Sequence, residues 1–252
     1  MWLLFVGLTA LAAGDPVDVR EVLRPGVTMN WTTLTLEAEA ADRGYGVGSS
    51  RAAVEQNVRR AIGPSIMGGA MDLRLDPRNT LADVELLDKA VFEQVRLRLS
   101  GWKVTEARYY TSGRVDLRGE LSVQELLKPL SLSRAQPAPE GEQPSFTGWV
   151  IDARGLEVKK VIFPRVLDDQ GAVIWQASLW EPDALRALPV IYVSSPTAGA
   201  TAIAGANPLV VEAEWARGGE PALSAADTIR FHTGLEGARV LGEGRVVVVV
   251  DP

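Results

Sequence analysis

Apolar and polar residues alternate along several short stretches of the chain, a period typical of β-strands with one buried face. Residues 31–40 place Leu34, Leu36, Ala38 and Ala40 on one side and Thr33, Thr35, Glu37 and Glu39 on the other. The same period is found in residues 113–123, where Val115, Leu117, Leu121 and Val123 are the apolar positions. These stretches, with the intervening strand at 102–110, predict an antiparallel or mixed sheet with one face in contact with water.

Two stretches have helical periodicity. The first begins at Ser49 or Ser50 and is expected to end at Gly63 and Pro64, which are typical helix terminators. The second runs from Thr80 to about Ser100, and its apolar stripe consists of Leu81, Val84, Leu87, Val91, Val95 and Leu99. With a short strand at 71–76 between them, the order of elements predicts an α+β domain over residues 28–131, with two helices on a small mixed sheet.

A change of composition follows. Residues 132–145 contain three prolines and predict a linker. Residues 146–252 contain a series of short apolar runs and one brief helix from Ser224 to Gly234, so we predict a mostly β domain. The run of five valines at 246–250 does not alternate. It therefore predicts either a central strand covered on both faces or a strand that adds to another subunit.

The first 14 residues are apolar and end in small residues, and they are too short to span a bilayer as a helix. This pattern predicts a secretory signal peptide over residues 1–14, the alternative being a buried first strand or helix. A lipoprotein signal would need a cysteine where Gly14 stands, so we expect no lipid anchor.

Composition restricts the chemistry that is available. The net charge of -6 gives no reason to expect nucleic-acid binding. The absence of cysteine excludes thiol mechanisms, and one histidine with no cysteine removes most routes to zinc, haem or iron-sulfur sites. We therefore predict no cofactor and no metal site.

Few stretches qualify as candidate sites. The Gly-rich turn Gly44–Gly48 lacks the spacing of a nucleotide-binding loop and is interpreted as a flexible connection. His232 has no second ligand nearby in sequence, and Asp168 and Asp169 are followed by Gln170 and Gly171, which predicts a hairpin turn. Five tryptophans fall in or beside predicted strands, where they suit a core or a glycan-binding platform: Trp102, Trp149, Trp175, Trp180 and Trp215.

The most distinctive stretch is TGWVIDARGL at 147–156, where a short apolar strand is followed by Asp152 and Arg154. Two residues apart on an extended chain, these side chains point to the same side. No third polar group stands near them in sequence to make an acid–base site. We interpret the pair as architectural, fixing the turn at Gly155 or contacting a neighbouring subunit.

These residues also carry a resemblance. The motif residues are, in order, Asp152, Arg154, Gly155, Pro164, Arg165, Asp168, Gly171, Asn207, Pro208 and Arg245 at the start of the final strand. With these motifs the chain resembles a bacterial envelope family of flagellar assembly proteins of the P and T type and related outer-membrane lipoproteins. The resemblance implies a scaffold without a reaction, located in the periplasm and associated with the outer membrane. It also implies self-association, partners among envelope or flagellar proteins, and in some members rings around the flagellar motor.

The hypotheses differ in class. The first is an exported, non-enzymatic structural or assembly protein of the bacterial cell envelope. The alternative is a periplasmic module that binds glycan or peptidoglycan through exposed tryptophans, which requires at least two of them in one groove. A hydrolase that uses two carboxylates is the third, and nothing in the sequence selects such a pair.

Overall fold

The computed structural model describes residues 18–43, 50–132, 146–176, 190–196, 203–235 and 245–252. Within them the chain is a mixed α+β protein with two sheets. The predicted signal peptide at 1–14, the Gly44–Gly48 turn, Trp180 and nearly all of the predicted linker lie outside the described residues.

The first sheet contains five strands: β1 (Arg20–Arg24), β2 (Val27–Asn30), β3 (Thr35–Asp42), β4 (Lys103–Tyr109) and β5 (Val115–Ser122). Their spatial order is β1-β2-β3-β5-β4, and every pair of neighbours is antiparallel. The predicted mixed sheet is therefore wrong, and the sheet is purely antiparallel. The first sheet also begins at Arg20, ahead of the predicted boundary at residue 28, because β1 and β2 form a hairpin on its edge.

Four helices accompany the first sheet: α1 (Arg51–Met71), α2 (Leu81–Leu87), α3 (Lys89–Arg98) and α4 (Val123–Leu132). A single 3₁₀ turn at Leu99–Gly101 follows α3. Helix α1 lies on one face of the sheet and buries Val54, Val58, Ile62, Ile66 and Ala70. The opposite face carries the charged residues of β3, β4 and β5.

Helix α1 does not end at Gly63 and Pro64, as predicted, but continues to Met71. A Cβ at position 63 would make only an ordinary contact, 3.5 Å from Trp102 Nε1, whereas a Cβ at Gly69 would lie 2.4 Å from Val27 Cγ1, so it is Gly69 that allows α1 to pack closely against β2. Burial of Ile62 and Ile66 on either side offsets the backbone hydrogen bond that Pro64 cannot donate.

The predicted helix at 80–100 is two helices. Asp88 interrupts it with φ -150°, and its side chain accepts a hydrogen bond from Val91 N at 3.1 Å, which caps α3. The predicted apolar stripe is nevertheless buried at Leu81, Val84, Val95 and Leu99 and half-buried at Val91, while the side chain of Leu87 lies outside the description. The predicted strand at 71–76 is reduced to one bridge between Arg74 and Thr80.

The second sheet contains seven strands: β6 (Gly148–Asp152), β7 (Arg165–Leu167), β8 (Val173–Gln176), β9 (Val190–Val193), β10 (Pro208–Arg217), β11 (Glu220–Leu223) and β12 (Val246–Val249). Their order is β8-β7-β11-β10-β6-β12-β9, and β10, β6, β12 and β9 run parallel. Helix α5 (Ala225–Leu235) begins after Ser224, whose hydroxyl accepts from Asp227 N at 3.0 Å. Strand β12 lies between β6 and β9 with all its residues buried, which confirms the prediction of an interior strand.

The two sheets are joined by direct contacts. Trp31 is fully buried, its ring meets Tyr192 edge-on at 5.5 Å, and the Thr32 hydroxyl donates to Tyr192 O at 2.8 Å. Asp18 forms an antiparallel bridge with Val193 on the outer edge of β9. Buried apolar residues of both sheets belong to one continuous cluster.

Tyr192 is a buried polar anchor of this contact region. Its hydroxyl donates to Val161 O at 2.9 Å and accepts from Val161 N at 3.1 Å. Burial raises the pKa of Tyr192, so the phenol remains neutral and retains its proton for the hydrogen bond. The adjacent segment crosses to the other half of the chain, where Ile162 N and Phe163 N donate to Arg74 O and Leu75 O at 3.0 and 2.8 Å.

Candidate functional site

The Asp152–Gly155 turn lies at the carboxyl end of β6, beside the end of β12. Ala153 N donates to Val249 O at 2.9 Å, which continues the parallel pairing by one residue. Gly155 then adopts φ +74°, a conformation that glycine adopts without strain, and its N–H donates to Asp251 Oδ2 at 2.8 Å. The turn is thereby attached to the last residues of the chain.

Asp152 and Arg154 form a bidentate ion pair within this turn. Arg154 Nε donates to Asp152 Oδ1 at 2.9 Å, and the backbone N–H of Arg154 reaches the same oxygen at 3.2 Å. The hydrogen bonds from Arg154 lower the pKa of Asp152, and Asp152 in turn raises the pKa of Arg154. Both shifts move the pKa values away from neutrality, whereas a general acid or base works best with a pKa near the operating pH.

Asp152→Asn is expected to lower the free energy of unfolding at pH 7 by less than about 1 kcal/mol, because the pair is partly exposed. The folded-state pKa of Asp152 is depressed, so its contribution is complete above an unfolded-state pKa of about 3.9 and is lost as pH falls through the folded-state pKa. Urea denaturation of both proteins between pH 7 and pH 2.5 measures the difference. Asp169→Asn, in the exposed β7–β8 turn, is the control. A difference that stays constant to the lowest pH would contradict the prediction.

Arg165 forms the second ion pair of this region. From β7 its guanidinium meets the carboxylate of Glu220 on β11, with Nη2 donating to Oε2 at 2.8 Å and Nε to Oε1. Glu220 is buried, and its hydrogen bonds raise the pKa of Arg165, with a smaller electrostatic contribution from Asp76. The preceding Pro164 is also buried. Arg165 thus links two strands of the second sheet and faces the first half of the chain.

Asp168 and Gly171 form the β7–β8 hairpin turn, as the sequence predicts. Asp168 Oδ1 accepts hydrogen bonds from Gln170 N at 2.9 Å and Ala172 N at 2.7 Å. Gly171 has φ +85°, and a Cβ there would come within 2.8 Å of the Arg217 guanidinium. The aspartate is therefore a turn-forming residue.

Asn207, Pro208 and Arg245 lie at the opposite, amino end of the parallel strands. Thr147 N donates to Asn207 O at 2.9 Å, Asn207 N donates to the Thr147 hydroxyl at 2.8 Å, and Trp149 N donates to Arg245 O at 2.9 Å. Pro208 opens β10 opposite Gly148. One strand of five residues separates this group from Asp152, a distance of about 13 Å. The residues that carry the resemblance are therefore distributed over both ends of the sheet and do not form a single site.

Sequence reasoning missed three partners of these residues. Glu220 neutralises Arg165, Asp251 accepts from Gly155, and the Thr147 hydroxyl joins Asn207 to Ala204 O. Glu220 and Asp251 are distant in sequence from the residues that they bind, so no local pattern could have paired them. Thr147 directly precedes β6, and its hydroxyl was the one local sign that a side chain could form hydrogen bonds at the start of this strand.

The tryptophans do not form a groove within the described part of the chain. Trp149 and Trp175 are buried, and Trp102 and Trp215 are half-buried on different sheets. The glycan-binding alternative requires two solvent-facing tryptophans side by side, and these four do not provide them. The side chain of His232 lies outside the described part of the chain, so its predicted lack of a role stays a prediction.

An open pocket of about 210 Å³ lies on the outer face of the first sheet. Its lining contains three ion pairs: Arg108–Glu106, Arg114–Asp116 and Arg118–Glu39. Hydrogen bonds that Arg114 donates lower the pKa of Asp116, and donation to the three carboxylates raises the pKa of Arg108, Arg114 and Arg118. Every charge of the pocket is matched by an opposite one, so it offers neither a free proton donor nor a net field for a charged ligand.

Within residues 18–43, 50–132, 146–176, 190–196, 203–235 and 245–252, no three His, Cys, Asp or Glu side chains cluster in a way that could hold a metal ion. None of the helices in this part of the chain combines the length and apolar character needed to cross a membrane.

These observations define an α+β protein whose distinctive residues brace strand ends and turns. Residues 148–252, which include all seven strands of the second sheet, match the family model described as Treponema pallidum Tp0624, second domain. A search of curated proteins found no match.

Proposed function

We propose that this chain is an exported, non-enzymatic structural protein of the bacterial cell envelope that assembles with copies of itself. The observation that supports this function best concerns the charged residues that carry the resemblance. Asp152, Arg154, Arg165 and Asp168 all form intramolecular hydrogen bonds at turns and strand ends. Such residues maintain a shape that other molecules can contact. They leave no acid, base or nucleophile of this set available for a reaction.

Location is the second part of the proposal. The apolar first 14 residues support export to the periplasm, with the protein peripherally associated with the outer membrane. The match to a domain of a bacterial protein agrees with a bacterial setting. The resemblance to flagellar assembly proteins extends the proposal to a ring or scaffold at the flagellar motor, with envelope or flagellar proteins as partners.

The finer division of the chain belongs to the same proposal. Residues 20–132 would form an α+β domain with helices packed on a small sheet, and residues 146–252 a mostly β domain, joined through a linker at 133–145. The contact through Trp31 and Tyr192 supports two domains that act as one rigid building block. A scaffold benefits from such rigidity because fewer conformations are lost on assembly.

Export is tested by expressing the chain with its own N-terminus in a bacterium and separating the cell fractions. We expect the protein in the periplasmic or outer-membrane fraction, with a mature N-terminus near residue 14. Leu4→Arg combined with Leu8→Arg interrupts the apolar run and should retain the protein in the cytoplasm, whereas Leu4→Ile with Leu8→Ile should not. Cytoplasmic protein that still begins at Met1 would contradict the proposed location.

Assembly is tested separately by light scattering of the purified protein over a range of concentrations. A mass that rises above 27.1 kDa supports self-association, and a monomer at the highest concentration contradicts it. Flagellar motor components that co-purify with the tagged chain in its own host would identify the motor as the site of assembly. Other envelope proteins in their place would favour a general scaffold.

A further inference from the structure

Among the described strands, β4 is the longest at a sheet edge. It has seven residues, whereas the other edge strands, β1, β8 and β9, have five, four and four. The outer edge of β9 is covered by the bridge from Asp18. Strand β4 pairs only with β5 among the described strands, and five of its seven residues are exposed. A row of backbone N–H and C=O groups is thus available on its outer side.

The charges of β4 select one way in which two copies can pair. Glu106 and Arg108 lie on the same, outer face of the sheet, opposite Arg118 and Asp116 of β5. In an antiparallel pair related by a two-fold axis at Ala107, Glu106 of each copy stands opposite Arg108 of the other. An axis at Glu106 or at Arg108 would place like charges opposite each other, which is unfavourable. Of these three axes, the one at Ala107 is the electrostatically matched one, and it exchanges the Arg108–Glu106 pair within each copy for pairs between copies.

The neighbouring side chains are compatible with this register. Tyr109 is 45% exposed, and its hydroxyl donates to Glu55 Oε2 at 3.0 Å while Arg51 lies 5.3 Å above its ring. An exposed tyrosine that is already ordered contributes contact area at low entropic cost. The bulge between Val104 and Glu106 limits the length of the pairing and restrains open-ended aggregation.

We infer that β4 is the self-association surface of this chain, and that a second copy pairs with it antiparallel about Ala107 to join two five-stranded sheets into one. This inference rests on the proposed self-assembly and identifies its interface. A two-fold contact of this kind is closed, so it forms a dimer that larger envelope assemblies can use as their unit.

Charge reversal tests the register. Glu106→Arg and Arg108→Glu each place like charges opposite each other twice in the dimer, and each is expected to raise the dimer dissociation constant at least about tenfold. Mixing the two variants restores opposite charges at both positions and should yield a heterodimer. The double variant should also dimerise. Glu93→Arg, which removes a comparable exposed ion pair on α3, is the matched control and should leave the dissociation constant unchanged.

Cross-linking tests the position of the axis. The chain has no cysteine, so Ala107→Cys introduces a single thiol at the axis. Opposed residues in an antiparallel pair have Cα atoms about 4.5–5.5 Å apart, within the range of a disulfide. Oxidation should link this variant into covalent dimers at protein concentrations that leave exposed Ala90→Cys on α3 unlinked.

The outcomes separate the inference from the proposed function. An oligomer that is insensitive to both charge reversals and that does not cross-link at position 107 overturns the β4 interface while self-assembly stands. A wild-type chain that stays monomeric at all concentrations overturns both. Dimerisation of the mixed variants, with neither variant dimerising alone, supports both.

Discussion

Trp31→Ala is expected to lower the free energy of unfolding by about 3–5 kcal/mol, the largest loss that we predict for a single side chain. Trp31 is fully buried, and its indole N–H donates to Glu21 Oε2 at 2.9 Å while its ring meets Tyr192 at an interplanar angle of 75°. The truncation would leave a large cavity between the two sheets. It would also deprive Glu21 Oε2 of its indole donor, while Glu21 Oε1 would still accept from Arg74 Nη1 at 2.7 Å.

Urea denaturation followed by far-ultraviolet circular dichroism measures this loss. Because Trp31 contacts both halves of the chain, we expect one transition for the whole protein, shifted to lower urea. Trp215→Ala, at a half-buried tryptophan in the second sheet, should cost clearly less. A loss for Trp31→Ala below about 1 kcal/mol, or an effect on one half alone, would contradict a shared core.

Arg165→Met is expected to cost about 3 kcal/mol, because it leaves the carboxylate of Glu220 buried without its partner. The methionine keeps most of the apolar stem, so the effect should report the lost charge and its hydrogen bonds more than lost packing. Replacing both residues, as Arg165→Met with Glu220→Met, removes the stranded charge. This double variant should recover most of the lost stability.

Arg154→Met provides the matched control for this experiment. Arg154 is also paired with a carboxylate, but its side chain is about half exposed and the pair is screened by water, so the change should cost clearly less than Arg165→Met. Equal losses at positions 154 and 165 in chemical denaturation would contradict the view that burial decides the value of these pairs. Failure of the double variant to recover stability would mean that Arg165 acts through packing.

The strands of the first sheet were predictable where one face meets water. The alternation in residues 113–123 gave the buried positions Val115, Leu117 and Leu121 of β5 correctly. The strand predicted at 31–40 instead occupies Thr35–Asp42, because Leu34 adopts φ 55° and turns the chain before it. Strands β1 and β2 and helix α4 were not predicted, since their short apolar patterns fit several structures equally well.

The candidate site was predictable only in part. Local chemistry predicted the Asp168–Gly171 turn, and a separation of two residues predicted that Asp152 and Arg154 share one side. Their partners could not be predicted in this way. Glu220 reaches Arg165 from 55 residues away, and Asp251 reaches Gly155 from 96 residues away. Such contacts depend on which strands become neighbours in the second sheet.

By itself, the sequence determined most of the apolar side chains that are buried along the amphipathic elements, although Glu37, predicted on the water-facing side, is buried as well. It also determined that the chain would be α+β and that its chemistry would exclude thiols. These properties follow from local periodicity and residue type, which act over a few residues. Only the tertiary structure decided that α1 would pass through Pro64, that the predicted helix at 80–100 would break at Asp88, and that Trp31 would join the two sheets. Each of these outcomes depends on burial against residues far away in the chain, where the free energy gained by packing exceeds local propensity.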